Sequence, residues 1–302
     1  MRVLLTTLLV FLPLAFTACG GSSNSNSTTA GGPLTGNWQI SLVQEYPSPV
    51  TPLSVSGFLT QSDQTVAGSV EGPTITNSKG TLCGGTAEIS GTVNGQTVAL
   101  TENLGGTTYN FTGTLSSDNQ SMSGDYAGQG GACFTQSTTG TWSALLIPPL
   151  TGSFTGTLSG SSYMTLLTGL TPVAPIQVSG SITQSSNAAG SNASLTGTIT
   201  AVGYPCFSTV SLSGTISGQN VYLNVFDYNG EPVGFLGVPS SPATVVPNPG
   251  GGFSLVDNNV GNGLQLGIYN GTSTVGPCPP LWSQTNLTYQ TYDNAAVQFN
   301  FQ

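Results

Sequence analysis

The sequence predicts an all-β fold of two tandem antiparallel units, each a meander β-barrel or sandwich of about eight strands. Alternating apolar and polar residues recur in short runs along the chain, separated by Gly, Asn, Ser and Pro. No stretch after residue 20 combines a helical hydrophobic period with capping residues. The chain also contains an internal repeat, so the same set of strands is expected twice.

The repeat is clearest in one segment of the chain. SGTVNGQTVAL at 90–100 returns as SGTISGQNVYL at 213–223, which is 123 positions later. LTGNW at 34–38 is also matched by LTGSF at 150–154, upstream of these segments in each copy. Because identity, order and spacing recur together, the pattern indicates two copies of one structural unit. The two units are predicted to cover residues 34–147 and 150–302.

Each copy contains a predicted β-hairpin within the repeated segment. Asn-Gly between alternating runs is a strong signal for a two-residue turn. A turn at Asn94-Gly95 would pair Ile89 with Leu100, and the second copy repeats this register around Ser217-Gly218. One face of the sheet is then apolar and the other solvated. The predicted polar face of the first hairpin consists of Ser90, Thr92, Thr97 and Ala99.

The first residues have the pattern of an export signal. Arg2 precedes an apolar stretch from Val3 to Phe16, which is too short to span a bilayer as a helix and suits a signal-peptide core. The stretch leads into Ala18-Cys19, a small residue before a cysteine, and resembles the lipobox of bacterial lipoproteins. This resemblance implies that residues 1–19 are a lipoprotein signal peptide with Cys19 as the lipid-accepting residue. An ordinary signal peptide with an incidental cysteine is the alternative.

The segment after Cys19 indicates where the protein is expected to act. Residues 20–33, GGSSNSNSTTAGGP, are small and polar and are expected to form a flexible tether. Gly20, rather than Asp, after the lipid-bearing cysteine resembles lipoproteins that are sorted to the outer membrane. The expected location is therefore the bacterial cell envelope, with the lipid on Cys19 as the membrane anchor and the outer membrane as its site.

Four further cysteines remain for disulfides, an even number in a protein expected to be exported. Four cysteines permit three pairings. If each unit folds by itself, Cys83 pairs with Cys133 and Cys206 with Cys278. No zinc site is predicted, because the sequence has neither a Cys-x-x-Cys pair nor a histidine, and no cofactor is predicted.

Charge is scarce and mostly negative, with two basic and eleven acidic residues and no histidine. Such a surface cannot neutralise phosphates, so nucleic acid is excluded as a partner. The missing histidine excludes Ser-His-Asp and Cys-His catalysis. A helical multi-spanning protein is excluded, since no later apolar run reaches the ~20 residues required. An outer-membrane barrel is disfavoured because the alternating runs lack aromatic girdles and the length of roughly ten residues typical of such strands.

A carboxylate pair is the remaining catalytic possibility. Glu88 and Glu102 flank the predicted hairpin, but its register places Glu88 on the polar face opposite Thr101 and Glu102 on the apolar face opposite Ala87. The two carboxylates then point to opposite sides of the sheet and cannot act together. Each is expected at an edge or rim. We therefore expect no catalytic residue and no enzymatic activity.

The opening of the first unit, Leu34-Thr-Gly-Asn-Trp38, is similar to the start of avidin-like and lipocalin-like β-barrels. This resemblance implies a meander barrel. Trp38 and Trp142, near its two ends, are expected to fill the core. The expected function is a non-enzymatic structural or binding role, in which a Ser/Thr/Asn-rich surface contacts an envelope glycan or a protein. The alternative is a small-ligand carrier that uses a lipocalin-like barrel cavity.

Overall fold

The computed structural model is all-β throughout the part of the chain it describes. The described residues are 32–47, 49, 52–76, 82–104, 106–131, 136–164, 167–202, 208–226, 232–236, 243–248, 253–256, 265–267, 288–293 and 299–301. Within these ranges no helix is long and apolar enough to cross a membrane.

The first unit is a closed antiparallel barrel of eight strands. Each strand pairs with the next along the chain, and β1 pairs with β8 to close the barrel. The prediction of an eight-strand meander is confirmed here, and the structure is a barrel rather than a sandwich. The strands are 8–13 residues long, longer than the short runs that the sequence predicted. They are β1 (Gly36–Tyr46), β2 (Leu53–Ser62), β3 (Thr65–Thr76), β4 (Leu82–Asn94), β5 (Thr97–Leu104), β6 (Thr107–Leu115), β7 (Ser121–Gly128) and β8 (Thr138–Ile147).

Large apolar side chains fill the interior of this barrel. Trp38 is fully buried and its indole N–H donates to the carbonyl oxygen of Leu34 at 3.0 Å. Trp142 is also buried, donates to the carbonyl oxygen of Thr112 at 3.1 Å, and meets the Phe111 ring edge-on at 5.6 Å between centroids. Both indole N–H groups are thus paired inside the core, as buried tryptophan requires. The expectation that these two residues fill the core is confirmed.

The register of the repeated hairpins differs from the prediction by two residues. Gly91, not Ile89, pairs with Leu100, because Gly95 and Gln96 form the turn and Asn94 pairs with Thr97. Gly95 has a φ of +59°, and primed hairpin turns need a positive φ at their first central residue, which glycine adopts without strain. The second hairpin is shifted likewise, with its turn at Gly218-Gln219. A shift of two keeps every side chain on its predicted face, so that Ser90, Thr92, Thr97 and Ala99 are exposed.

The second unit is a curled antiparallel sheet of eleven strands rather than about eight. β9 to β13 repeat the meander of the first unit. β13 then pairs at its start with β15 and at its end with β14, and the strands that follow both branches return to β9. Its strands are β9 (Gly152–Met164), β10 (Leu167–Ala189), β11 (Asn192–Val202), β12 (Thr209–Ser217), β13 (Asn220–Phe226), β14 (Pro232–Leu236), β15 (Ala243–Pro247), β16 (Phe253–Val256), β17 (Gln265–Gly267), β18 (Thr288–Asp293) and β19 (Phe299–Phe301).

Each unit contains the same side-chain contact at the start of its first strand, which we call the closing contact. In the first unit, the Gln61 side chain accepts the backbone N–H of Leu34 at 3.0 Å, and the Gln61 backbone N–H donates to the Thr35 hydroxyl at 2.9 Å. In the second unit, Gln184 makes the same two bonds with Leu150 and Thr151, at 2.8 and 3.1 Å. The sequence repeat is therefore also a repeat of side-chain geometry.

Turns of the second unit pack against the outer surface of the first barrel. The Asn37 side chain accepts the Gly218 N–H at 2.6 Å and donates to the Gly218 carbonyl at 2.9 Å. Beside this pair, the hydroxyls of Ser56 and Ser217 lie 2.9 Å apart. Asn37 and Ser56 are buried on the outward side of their strands because this turn covers them. A Cβ at Gly218 would collide with Ser56, so the close approach requires glycine.

A second turn extends this contact, which we call the inter-unit joint. The Glu71 carboxylate of β3 accepts the Ser191 hydroxyl at 3.2 Å and the Asn192 amide at 3.3 Å. Phe58 of β2 packs against the core of the second unit. Burial raises the pKa of Tyr222 on β13, and the Glu71 carboxylate adds to this rise. The joint thus combines two hairpin turns of one unit with the β1–β3 face of the other.

Candidate functional site

One acidic side chain lies inside the first barrel. β5 alternates exposed and buried residues, and Glu102 occupies an inward position in phase with the core residues Val98 and Leu100. Glu102 is only 2% exposed. Its Oε1 atom is fully buried and has no hydrogen-bond partner. An unpaired buried acceptor costs about 1–3 kcal/mol, more when charged, so this position is energetically unfavourable for folding alone.

A second unpaired oxygen lies close to Glu102. Thr107 begins β6 with an inward side chain that is 2% exposed, and its hydroxyl oxygen also lacks a hydrogen-bond partner. Glu102 pairs across the sheet with Tyr109 and Leu104 pairs with Thr107, so Glu102 and Thr107 are diagonal neighbours on the inner face. Diagonal neighbours are about 7–8 Å apart at the backbone, within reach of one bridging group.

Aromatic side chains form the wall beside these two oxygens. The rings of Tyr109 and Tyr126 are tilted at 51° with centroids 6.2 Å apart, and Tyr126 also contacts Phe111 at 6.0 Å. The cluster adjoins the end of β5 and the start of β6, so it lies close to one end of the barrel, which we call the mouth. We call Glu102, Thr107, Tyr109 and Tyr126 the mouth cluster.

Burial dominates the electrostatics of the mouth cluster. It raises the pKa of Glu102 from 4.5 to about 7, because an apolar surrounding disfavours the carboxylate. Burial, followed by the negative charges of Glu102 and Tyr126, raises the pKa of Tyr109 to about 12. Burial, and then the negative charge of Glu45, raise the pKa of Tyr126 above its usual value. The cluster therefore holds a carboxyl group that gains or loses its proton near neutral pH.

The placement of Glu102 corrects one expectation and agrees with another. Glu88 is exposed and pairs with Asn103, whereas Glu102 is buried and pairs with Ile89 on β4, so the two carboxylates do point to opposite sides of the sheet. The expectation that Glu102 lies at an edge or rim is wrong. The alternation of β5 had already assigned it to the apolar face, but only closure of the barrel turns that face into a core.

The cysteines named by the sequence contribute no described side chain. Cys19, Cys133, Cys206 and Cys278 lie outside the described residues. The backbone of Cys83 lies in β4 and pairs with Ile75, while its side chain is likewise outside the description. Lipidation at Cys19 and the two disulfides therefore stay predictions. Among the described residues, no group of three or more His, Cys, Asp or Glu side chains is placed to hold a metal ion.

The outer surface of the barrel carries a continuous row of hydroxyl groups, which we call the hydroxyl row. Its members are cross-strand partners, each directly opposite the next along neighbouring strands. Neighbouring strands are about 4.8 Å apart, so the hydroxyls are regularly spaced. Except for half-buried Ser41, they are exposed. The row consists of Thr97, Thr114, Ser123, Ser143, Ser41 and Ser54.

Comparison with known proteins adds no relative to this description: no family model, curated protein or solved structure matches the chain.

Proposed function

We propose that this protein is a non-enzymatic structural or binding protein of a bacterial cell envelope, anchored through a lipid on Cys19. The observation that carries the proposal is the filled interior of the first barrel, where Trp38, Trp142, Phe111 and other large side chains occupy the space that a carrier would keep for its ligand. A barrel filled by its own side chains leaves no room for a large ligand, so the partner of this proposed role binds on the outside.

The outer surface supports a neutral, hydroxyl-rich partner. The hydroxyl row offers donors and acceptors without charge. It crosses β5, β6, β7, β8, β1 and β2. Sugar hydroxyls pair with such groups without the desolvation cost of a charged side chain. An envelope glycan is therefore the partner that we propose, with a protein partner as the other outcome of the test.

The anchor and the partner are tested separately. Intact mass spectrometry of protein purified from envelopes should show a lipid adduct on Cys19 and a gain of about 4 Da on reduction, two hydrogens for each of two bridges. Cosedimentation with purified cell-wall glycan should retain the protein. The variant Ser123→Gln/Ser143→Gln, which replaces two paired hydroxyls of the row, should reduce retention without lowering the melting temperature.

A matched variant controls for general surface effects. Thr196→Gln/Thr198→Gln changes two exposed residues on β11 of the second unit and should leave glycan retention unchanged. Equal retention of both variants and the unmodified protein would refute the role of the hydroxyl row. An unmodified Cys19 would refute the lipid anchor. A discrete small molecule that copurifies in native mass spectrometry would favour the carrier alternative instead.

A further inference from the structure

We propose that the first barrel binds a small primary ammonium cation beneath its mouth, between the Glu102 carboxylate, the Thr107 hydroxyl and the rings of Tyr109 and Tyr126. This site is separate from the outer surface on which the proposed envelope function rests. It takes a single charged group rather than a carrier's large ligand.

The unpaired oxygens are the first argument. Glu102 Oε1 and Thr107 Oγ1 are buried acceptors without a partner, and they are diagonal neighbours on one inner face. Buried polar groups in folded proteins are almost always hydrogen-bonded. A primary ammonium group has three N–H donors, enough to pair with both oxygens at once.

The charge balance is the second argument. Arg2 and Lys79 are the only basic residues of the chain, and neither belongs to the part that the structure describes. No described side chain can therefore neutralise the Glu102 carboxylate. Tyr109 is the cross-strand partner of Glu102 and its ring contacts that of Tyr126. An aromatic ring attracts a cation over its face by about 0.5–2 kcal/mol when water is excluded.

The number of ligands excludes a metal ion from this site. Ca²⁺ takes six to eight oxygen ligands and Mg²⁺ requires near-ideal octahedral geometry. The mouth cluster offers at most five oxygens, two from the Glu102 carboxylate and one from each hydroxyl of Thr107, Tyr109 and Tyr126, which is fewer than either ion takes. An anion is excluded by the carboxylate itself.

Binding is expected to depend on pH, because only the ionised Glu102 attracts a cation. Tyr109 on β6 is the described titratable group that interacts directly with Glu102. Tyr126 on β7 contacts Tyr109 and is itself affected by Glu45 on β1, while Glu88 on β4 points to the opposite side. The tyrosines stay neutral below pH 9, so Glu102 sets the dependence. With a pKa of about 7 for Glu102, the apparent affinity at pH 5 should be roughly 100-fold weaker than above pH 8.

The test is an NMR titration of the full chain with methylammonium chloride at pH 8 and at pH 5, in phosphate buffer. We expect saturable shifts of the Glu102 carboxyl carbon and the Tyr109 ring at pH 8 and their loss at pH 5. Tetramethylammonium, which lacks N–H donors, should bind more weakly. Glu102→Gln should abolish the saturable shifts, and Glu88→Gln on the other face should leave them unchanged.

Two results would overturn the proposal. One is that potassium chloride at the same ionic strength produces the same shifts as methylammonium, which would mean a general salt effect. The other is that methylammonium binds Glu102→Gln as tightly as the unmodified chain. If Glu102→Gln does not fold, Thr107→Val decides: it keeps the charge and removes one acceptor, so unchanged methylammonium affinity in that variant refutes the site.

Discussion

The most direct test of the buried carboxylate is the pH dependence of stability. The Glu102 pKa is 4.5 in an exposed reference state and about 7 in the barrel. Between these values the folded protein keeps a proton that the unfolded chain releases, so stability must fall as pH rises. The contribution is fully present below pH 4.5 and is lost as pH passes 7. At about 1.4 kcal/mol per pKa unit, the loss is about 3 kcal/mol.

The assay is urea unfolding at intervals between pH 4.5 and pH 8, in buffers without amines. The free energy of unfolding of the unmodified protein should fall by about 3 kcal/mol more than that of Glu102→Gln, which keeps the shape of the side chain and cannot ionise. Glu88→Gln is the matched control, because Glu88 is exposed on the other face of the same hairpin, and it should behave as the unmodified protein. An equal pH dependence for Glu102→Gln and the unmodified protein would refute the reasoning.

Further predictions concern the joint and the closing contact. Asn37→Ala leaves the buried N–H and carbonyl of Gly218 unpaired and should lower the free energy of unfolding by about 1–3 kcal/mol, measured by urea unfolding. Gly218→Ala should cost more than Gly95→Ala, since both turns have a positive φ but only Gly218 faces the other unit; equal melting temperatures would contradict the joint. Gln184→Leu removes the acceptor for Leu150 and should destabilise the second unit by about 1–3 kcal/mol, seen as faster hydrogen exchange there.

The sequence predicted the strand content and the repeat because both follow from short-range patterns. Alternation with period two sets which side chains face the core, and the barrel confirmed that assignment for the Asn94–Thr97 hairpin even though its register was wrong. The register differs because the turn lies one residue later than the sequence predicts. The Asn-Gly pattern favours a turn at Asn94-Gly95, whereas Gly95 occupies the first central position and Asn94 stays in the strand.

The mouth cluster and the joint could not be predicted because they depend on contacts between distant segments. Glu102 and Thr107 become buried only when eight strands close. Asn37 and Gly218 are 181 residues apart and meet through a side chain and a turn, which leave no periodic signal in the sequence. Outward strand positions are usually exposed, but Asn37 is buried because the second unit covers it.

The second unit lacks the side chains with which the first unit forms the joint. Another copy of the chain that docked in the same way would have to place its turn on the β9–β11 face, as the second unit does on the β1–β3 face. The repeat alignment and the strand pairing give the equivalent positions. Ser153 replaces Asn37, Ser181 replaces Phe58 and Thr200 replaces Glu71. The two-sided amide, the apolar contact and the carboxylate acceptor are all missing from the second face.

This difference predicts that the joint can be copied onto the second unit. The turn at Gly95-Gln96 has the same Gly-Gln sequence as the turn at Gly218-Gln219, and nothing lies within 4 Å of a Cβ built on Gly95. The variant Ser153→Asn/Ser181→Phe gives the second unit the amide and the aromatic side chain of the joint. The Gly95-Gln96 turn of a second copy of the chain can then dock on its β9–β11 face. The contact is head-to-tail and does not close, so it should give concentration-dependent oligomers in sedimentation velocity, while the unmodified chain gives none by this mode. Addition of Gly95→Ala should weaken the oligomers, because its Cβ then occupies the space that the close approach needs. Oligomers that form equally well with and without Gly95→Ala would show that the new contact does not copy the joint.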